Sequence, residues 1–225
     1  MQTVPVAVKG YLEQKLSRKL VHMTAGPLFL LTWPLFSAEP YARYLATVVP
    51  GLNAIRLVLI GTGVVESEGT VKSVSREGDR AELLRGPLYY VLVLIGVTIF
   101  YWRASPVGLV ALSLMCGGDG LADIVGRRLG KTKLPYNPSK TYAGSIAMFL
   151  GGLAMSMGLI ALFCSLGYFR CSMGEVFPSV AAISLVATLI ESLPINQSVD
   201  DNLSVPGSAA LMGYLLLGAV APAVL

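Results

Sequence analysis

Two aspartates inside an apolar stretch are the residues best suited to bind a metal ion. Asp119 and Asp123 stand four positions apart, so on a helix they share one face. Two carboxylates there repel each other, and burial near a membrane surface strengthens the repulsion. A divalent cation relieves it, and carboxylates that recruit Mg²⁺ commonly do so together with substrate phosphates. The spacing therefore predicts a metal site on this pair. The alternative is a charged helix end that holds its span at the membrane interface.

The residues that follow this pair are small and then basic. Gly126 and Gly130 continue the four-residue spacing and leave room for a bulky ligand beside the backbone. Acidic, small and basic residues in this order suit the phosphate chain of a metal-bound nucleotide. For Lys140, the alternative is a lysine whose ammonium group reaches the membrane surface. The predicted nucleotide-binding residues are Gly126, Arg127, Arg128, Gly130, Lys133, Asn137 and Lys140.

A second acidic segment lies near the C-terminus. Asp200, Asp201 and Asn202 offer several oxygen atoms in a short turn, which could complete a metal shell or orient an attacking hydroxyl. We therefore add Asp200 and Asp201 to Asp119 and Asp123 as catalytic candidates. The alternative is an Asx turn that caps the last helix.

Four more polar residues are possible accessory residues. Two arginines belong to the mixed-charge segment 75–90, for which a solvated loop is the simpler interpretation. Glu191 ends an apolar run, and an ionisable residue in that position is usually functional. The accessory candidates are Arg80, Arg85, Glu191 and Asn202.

The composition places these residues in a membrane protein. Charged residues make up 13% of the chain and apolar residues 54%, whereas a soluble domain carries about a quarter charged residues. Seven apolar runs approach the length of about 20 residues that crosses a bilayer. The expected fold is all-α and polytopic, with about seven transmembrane helices. A short basic segment, 1–19, precedes a single membrane-embedded domain, 20–225. The predicted spans are 20–36, 44–65, 86–102, 107–125, 142–163, 176–193 and 207–225.

Charge predicts how the chain is oriented. Seven spans alternate the loops between two faces, and thirteen of the 17 Lys and Arg residues fall on one of them. This basic face contains 1–19, 66–85, 126–141 and 194–206, and it also holds every candidate segment above. The excess of positive charge predicts the cytoplasmic or, in an organelle, the stromal side.

Several other classes of protein are excluded by what the sequence lacks. One histidine cannot build a His-based zinc site, so a bound metal should be a hard cation held by oxygen. The net charge of +4 is too diffuse for a nucleic-acid partner. Neither a GxxxxGK[ST] phosphate loop nor a soluble-kinase catalytic loop is present, and GxSxG is absent as well.

The run from Asp119 and Asp123 through Gly126 and Gly130, with Asn137-Pro138, Lys140 and Gly144 after it, resembles the CTP-binding region of the polyprenol kinases. Several spaced blocks along the chain resemble the plant phytol kinase and farnesol kinase branch of that family more closely. The resemblance implies a CTP-dependent kinase that converts a prenyl alcohol to its monophosphate, with phytol as the first candidate and farnesol or geranylgeraniol as the others. It implies Mg²⁺ or another divalent cation, and a chloroplast membrane. The blocks are 18–22, 78–80, 84–90, 118–120, 122–128, 134–137, 191–194 and 200–202.

The expected reaction transfers the γ-phosphoryl group of CTP to a primary alcohol. The prenyl tail would lie in lipid or in an apolar groove, where burial contributes about 0.8 kcal/mol per CH₂. One alternative is a CTP-using cytidylyltransferase that makes a CDP-lipid on the same nucleotide site. The other is an ion-coupled transporter, which is less favoured because the acids cluster at one membrane end and not at the midplane.

Overall fold

The computed structural model describes residues 23–75, 77–194 and 199–218, and these are mostly helical. Within them, five helical stretches are long and apolar enough to cross a membrane: Ala42–Thr62, Arg80–Tyr101, Pro106–Leu129, Tyr142–Ser165 and Met173–Ser192. These stretches confirm the prediction of a helical membrane protein with several spans, whereas the predicted number of seven spans stays a prediction. The predicted segment 1–19 lies outside the described residues.

Ten α-helices and one β-hairpin make up the described part of the chain. A π-helical turn, Leu114–Gly118, separates α6 from α7, and a 3₁₀ turn, Arg80–Leu84, precedes α5. The elements are α1 Met23–Leu35, α2 Ala42–Ala46, α3 Val48–Thr62, α4 Glu68–Val74, α5 Gly86–Tyr101, α6 Pro106–Ser113, α7 Asp119–Leu129, β1 Lys133–Leu134, β2 Asn137–Thr141, α8 Tyr142–Ser165, α9 Met173–Ser192 and α10 Asp201–Leu217.

Local sequence explains where several helices begin and end. Gly63 follows α3 with a φ of +81°, a left-handed conformation that glycine adopts at low cost and that terminates helices. Thr141 accepts a hydrogen bond from the Gly144 amide and thereby caps α8. Asp200 caps α10 in the same way, so this helix begins at Asp201 and not at the predicted residue 207.

Close helix packing depends on glycine. Helices α7 and α8 cross where Gly126 faces Gly144, and a Cβ added to Gly126 would lie 3.5 Å from the Gly144 Cα atom. One turn earlier, a Cβ on Gly144 would lie 3.0 Å from the Ala122 carbonyl oxygen. Small residues allow membrane helices to approach this closely, and here they bring the start of α8 against α7.

The connecting segments gather at two opposite ends of the helices. At one end the Asn202 side chain donates to the Gly86 carbonyl, and the Asn137 side chain donates to the Ser192 carbonyl. At the other end Arg103 donates to the carbonyl of Ser37. The predicted candidate segments therefore meet at a single end of the molecule, which we call the basic end.

Arg103 ties together the end opposite to the basic end. It is 6% exposed and donates to the carbonyls of Trp33, Phe36 and Ser37 at 3.3, 2.7 and 2.7 Å. Its guanidinium also lies 4.8 Å from the centre of the Tyr168 ring. One charged side chain thus satisfies the carbonyls that the end of α1 leaves open.

We expect Arg103→Met to lower the free energy of unfolding by about 2–3 kcal/mol, because it leaves buried carbonyls without a donor. The melting temperature in detergent measures this loss. Arg170→Met, at an exposed arginine of the same end, is the matched control and should change little. Equal losses in the two variants would show that the contacts of Arg103 do not stabilise the fold.

Candidate active site

Three carboxylates from three helices converge at the basic end. Asp119 begins α7, Glu191 lies in the last turn of α9, and Asp201 begins α10. One oxygen of each lies within 4.8 Å of the others. We call Asp119, Glu191 and Asp201 the carboxylate cluster. Lys140 of β2 forms ion pairs with two of its members, Glu191 and Asp201, the second at 3.2 Å.

The position of Asp119 depends on the π-helical turn before it. In this turn, Leu114–Gly118, the backbone hydrogen bonds span five residues and not four, so the turn changes the register of the helix after it. Such turns are frequent at functional sites. Asp119 is the first residue after the turn, which directs it towards α9 and α10.

Asp123 lies apart from the cluster. It follows Asp119 by one helical turn, about 6 Å along the axis. Its Oδ1 atom accepts a hydrogen bond from Nε of Arg127 at 2.9 Å, and both side chains are partly exposed. The predicted pair of aspartates therefore shares a helix face, but the structure groups Asp119 with Glu191 and Asp201, and Asp123 with a basic residue.

Asp200 and Asp201 are neighbours with different surroundings. Oδ1 of Asp200 accepts from the backbone N–H and the side-chain amide of Asn202, at 2.9 and 2.8 Å. This is the helix-capping Asx turn that the sequence left as an alternative, and it accounts for Asp200 and Asn202. Asp201 instead belongs to the carboxylate cluster and contacts Lys140.

The β-hairpin holds Lys140 in place. Asn137, which is 5% exposed, donates to the carbonyl of Ser192 at 3.0 Å and accepts from the Ser139 hydroxyl at 2.6 Å. The Tyr136 hydroxyl lies 2.9 Å from that of Ser192. Since these contacts join the hairpin to the end of α9, they set the distance between Lys140 and Glu191. Asn137, predicted to bind nucleotide, has a positioning role in this geometry.

Two of the predicted nucleotide-binding residues are packed against other protein groups. A Cβ on Gly126 would lie 3.1 Å from Oγ1 of Thr141, and a Cβ on Gly130 would meet the same side chain. The space predicted for a ligand beside these glycines is therefore filled by Thr141.

The basic residues surround the site at different distances. Arg127 and Arg128 lie in the last turn of α7, and Lys133 lies on β1, all of them exposed or partly exposed. Arg80 begins the 3₁₀ turn before α5, and its guanidinium packs on Gly63. Arg85 is exposed and lines a cavity that also reaches Asp119 and Asp201.

The chain is similar to curated plant enzymes over most of its length. It is 49% identical to phytol kinase 1, chloroplastic, of Arabidopsis thaliana, over 93% of this chain and 69% of that protein. It is 51% identical to probable phytol kinase 2, chloroplastic, of Oryza sativa subsp. japonica, over 94% and 69%. Farnesol kinase, chloroplastic, of Arabidopsis thaliana is 48% identical, over 94% and 68%.

The chain belongs to the phytol kinase and farnesol kinase family. Membership confirms the prediction of a kinase that phosphorylates a prenyl alcohol, and nothing in the comparisons supports the cytidylyltransferase or the transporter. The chloroplast names of the relatives and the apolar helices of this chain support a plastid membrane protein. No family model and no solved structure matches the chain.

In this member of the phytol and farnesol kinase family, the cluster suits a divalent cation. With all three carboxylates ionised, the cluster and the Lys140 ammonium group carry two net negative charges, which a divalent ion neutralises. All the donors are hard oxygen atoms, the ligands that Mg²⁺ prefers. Burial lowers the pKa of Lys140, but the Glu191 and Asp201 carboxylates outweigh burial and raise it above its ordinary value. The ammonium group therefore stays charged at neutral pH.

Glu191 is the residue whose importance the sequence understated. It is 2% exposed and belongs to the carboxylate cluster, whereas the sequence ranked it only as accessory. Its signal was an acidic residue at the end of an apolar run. The hairpin that carries Lys140 had no clear signal, because its two strands contain only two and five residues.

Proposed function

We propose that this chain transfers the γ-phosphoryl group of CTP to phytol at a plastid membrane. The observation that carries the proposal is the carboxylate cluster with Lys140, placed at one end of apolar helices in a member of the phytol and farnesol kinase family. Phytol comes from the names of most of the relatives. CTP comes from the resemblance to the polyprenol kinases.

Asp119, Glu191 and Asp201 are the proposed ligands of Mg²⁺. The ion, when bound, supplies positive charge to the phosphate oxygens of the nucleotide. Asp123 was the second ligand expected from the sequence. In the proposal it instead orients Arg127, with which it is hydrogen-bonded.

The nucleotide phosphates are proposed to bind between Lys140 and the end of α7. Lys140 has three N–H donors, and described residues use two of them, on Glu191 and Asp201. The remaining donor suits a phosphate oxygen. The exposed Arg127, Arg128 and Lys133 are placed to neutralise further phosphate oxygens.

Asp201 is the proposed acceptor of the hydroxyl proton. In the reaction, the alcohol oxygen forms a bond to the γ-phosphorus, and the bond from that phosphorus to the bridging oxygen breaks. CDP leaves with the electron pair, and the proton of the alcohol goes to a carboxylate. Asp201 suits this step because it belongs to the cluster and also faces the cavity that an alcohol can enter.

The proposed orientation puts the basic end on the stromal side, as the excess of Lys and Arg there indicates. In the proposal, helices α1 and α10 supply the two further spans of a single seven-span domain. Helix α1 is a short apolar helix, and α10 runs from Asp201 at the basic end to Leu217.

Labelled nucleotides test this function. Purified protein in detergent or vesicles is incubated with phytol, Mg²⁺ and CTP that carries the label either on the γ- or on the α-phosphorus. Label should reach the lipid only from the γ-position, and Asp201→Asn protein should produce none above background. Transfer of the α-label would identify a cytidylyltransferase, and transfer from ATP but not from CTP would refute the proposed donor.

A further inference from the structure

A large cavity opens on the carboxylate cluster from one side. It has a volume of about 1270 Å³ and lies between α1, α3, α4 and α5. This exceeds the roughly 300–1,000 Å³ of most small-molecule sites. Asp119 and Asp201 line it, so a molecule inside the cavity has direct access to two of the three carboxylates.

One wall of the cavity is apolar and follows the helix repeat. Pro87, Tyr90, Val91 and Leu94 all line it, and their spacing of three and four residues forms one stripe along α5. Phe29 of α1 lies on the same cavity. Leu94 follows Pro87 by seven residues, which is about 11 Å along the helix axis. The apolar stripe therefore leads from the basic end towards the interior of the membrane domain.

The opposite wall extends deeper. Pro50 and Leu57 of α3 line the cavity, and Pro50 lies twelve residues before Thr62, the end of α3 near Arg80. Twelve residues correspond to about 18 Å of helix. Asn53 and Arg56 lie on this wall among the apolar residues. A cavity this deep, with carboxylates at one end and apolar side chains of α1, α3 and α5 along its length, suits an extended chain of several isoprene units with a single hydroxyl group.

The basic residues proposed to bind phosphate lie elsewhere. None of Arg127, Arg128 and Lys133 is among the described residues that line the cavity. Arg127 and Arg128 lie on α7 beyond Asp123, and Lys133 lies on the hairpin that carries Lys140. The carboxylate cluster thus lies between these basic residues and the cavity.

We infer that the cavity between α1, α3 and α5 binds the tail of the prenyl alcohol, with the hydroxyl at Asp119 and Asp201, and that the nucleotide approaches from the hairpin side. The apolar wall of α5 then selects the length of the alcohol. This inference rests on the proposed kinase function, because it assigns the two substrates of that reaction to opposite sides of one cluster.

Substitution at Leu94 tests the assignment. Leu94→Phe narrows the deep part of the cavity, so kcat/KM should fall about 10-fold or more with phytol, less with farnesol, and least with the shorter geraniol. The KM for CTP should stay unchanged. Leu92→Phe is the matched control, because Leu92 is on the same helix but 48% exposed and outside the cavity. It should leave all three alcohols unaffected.

The opposite results would overturn the assignment. The cavity does not bind the tail if folded Leu94→Phe protein has the wild-type kcat/KM for all three alcohols. The same conclusion follows if the substitution raises only the KM for CTP. A wild-type protein that phosphorylates none of the alcohols would instead refute the proposed function.

A cross-linking experiment needs no variant. A farnesol analogue with a photoreactive diazirine at the far end of its tail should label the segment around Phe29, Pro50 or Leu94, as mass spectrometry of the peptides would show. Labelling confined to α8 or α9 would place the tail outside the cavity.

Discussion

Asp201→Asn should lower kcat by about 10²-fold or more, whereas Asp200→Asn should keep most of the activity. Asp201 belongs to the carboxylate cluster and contacts Lys140 at 3.2 Å, so its loss removes charge where phosphate is transferred. Asp200 caps α10 through Asn202, and asparagine caps a helix as well as aspartate does. The two variants change adjacent residues in the same way, and kcat with saturating CTP and phytol separates them.

The same comparison applies to the two aspartates of α7. Asp119→Asn should lower kcat as much as Asp201→Asn does. Asp123→Asn should lower kcat less, because Asp123 contacts the exposed Arg127 and not the cluster. Melting temperatures should confirm that all four variants fold. If Asp123→Asn and Asp119→Asn were equally inactive while Asp201→Asn kept its activity, the metal would be bound by the α7 pair that the sequence alone suggests.

Lys140→Met should reduce both activity and stability. The ammonium group pairs with Glu191 and Asp201, and its removal leaves three carboxylates close together without compensating charge. We expect kcat to fall by about 10²-fold and, without Mg²⁺, the free energy of unfolding to fall by about 3 kcal/mol. Added Mg²⁺ should raise the melting temperature of Lys140→Met protein more than that of the wild type, because the ion replaces the missing positive charge.

Lys133→Met is the control for this prediction. Lys133 lies on the same hairpin but is exposed, so its loss should raise the KM for CTP while the melting temperature and its response to Mg²⁺ stay as in the wild type. A Lys140→Met protein with normal stability and a normal response to Mg²⁺ would show that Lys140 does not compensate the charge of the cluster.

The membrane helices could be predicted with good accuracy, because length and apolarity are local properties of the chain. The predicted spans 86–102 and 142–163 differ from Gly86–Tyr101 and Tyr142–Ser165 by no more than two residues at either end. The kinase class followed from several spaced blocks, which the comparisons confirmed.

The partners of the polar residues were not predictable in the same way. Asp119 and Asp123 are four residues apart, and helix periodicity alone pairs them. Yet Glu191 and Asp201 lie on α9 and α10, more than 70 residues after Asp119 in the sequence, and only the packing of the helices brings them to Asp119. Nothing in the local sequence distinguishes Asp200 from Asp201, because the two side chains are identical and adjacent. The start of α10 separates them: Asp200 caps the helix, and Asp201 belongs to the carboxylate cluster.

The sequence by itself determined that this is a helical membrane protein of the phytol and farnesol kinase family, and it singled out Asp119 as a candidate metal ligand. The tertiary structure decided which carboxylates join Asp119, and it replaced Asp123 with Glu191 and Asp201. The physical reason is that a cation is held by oxygen atoms close in space, and three helices and a hairpin must pack together before those atoms meet.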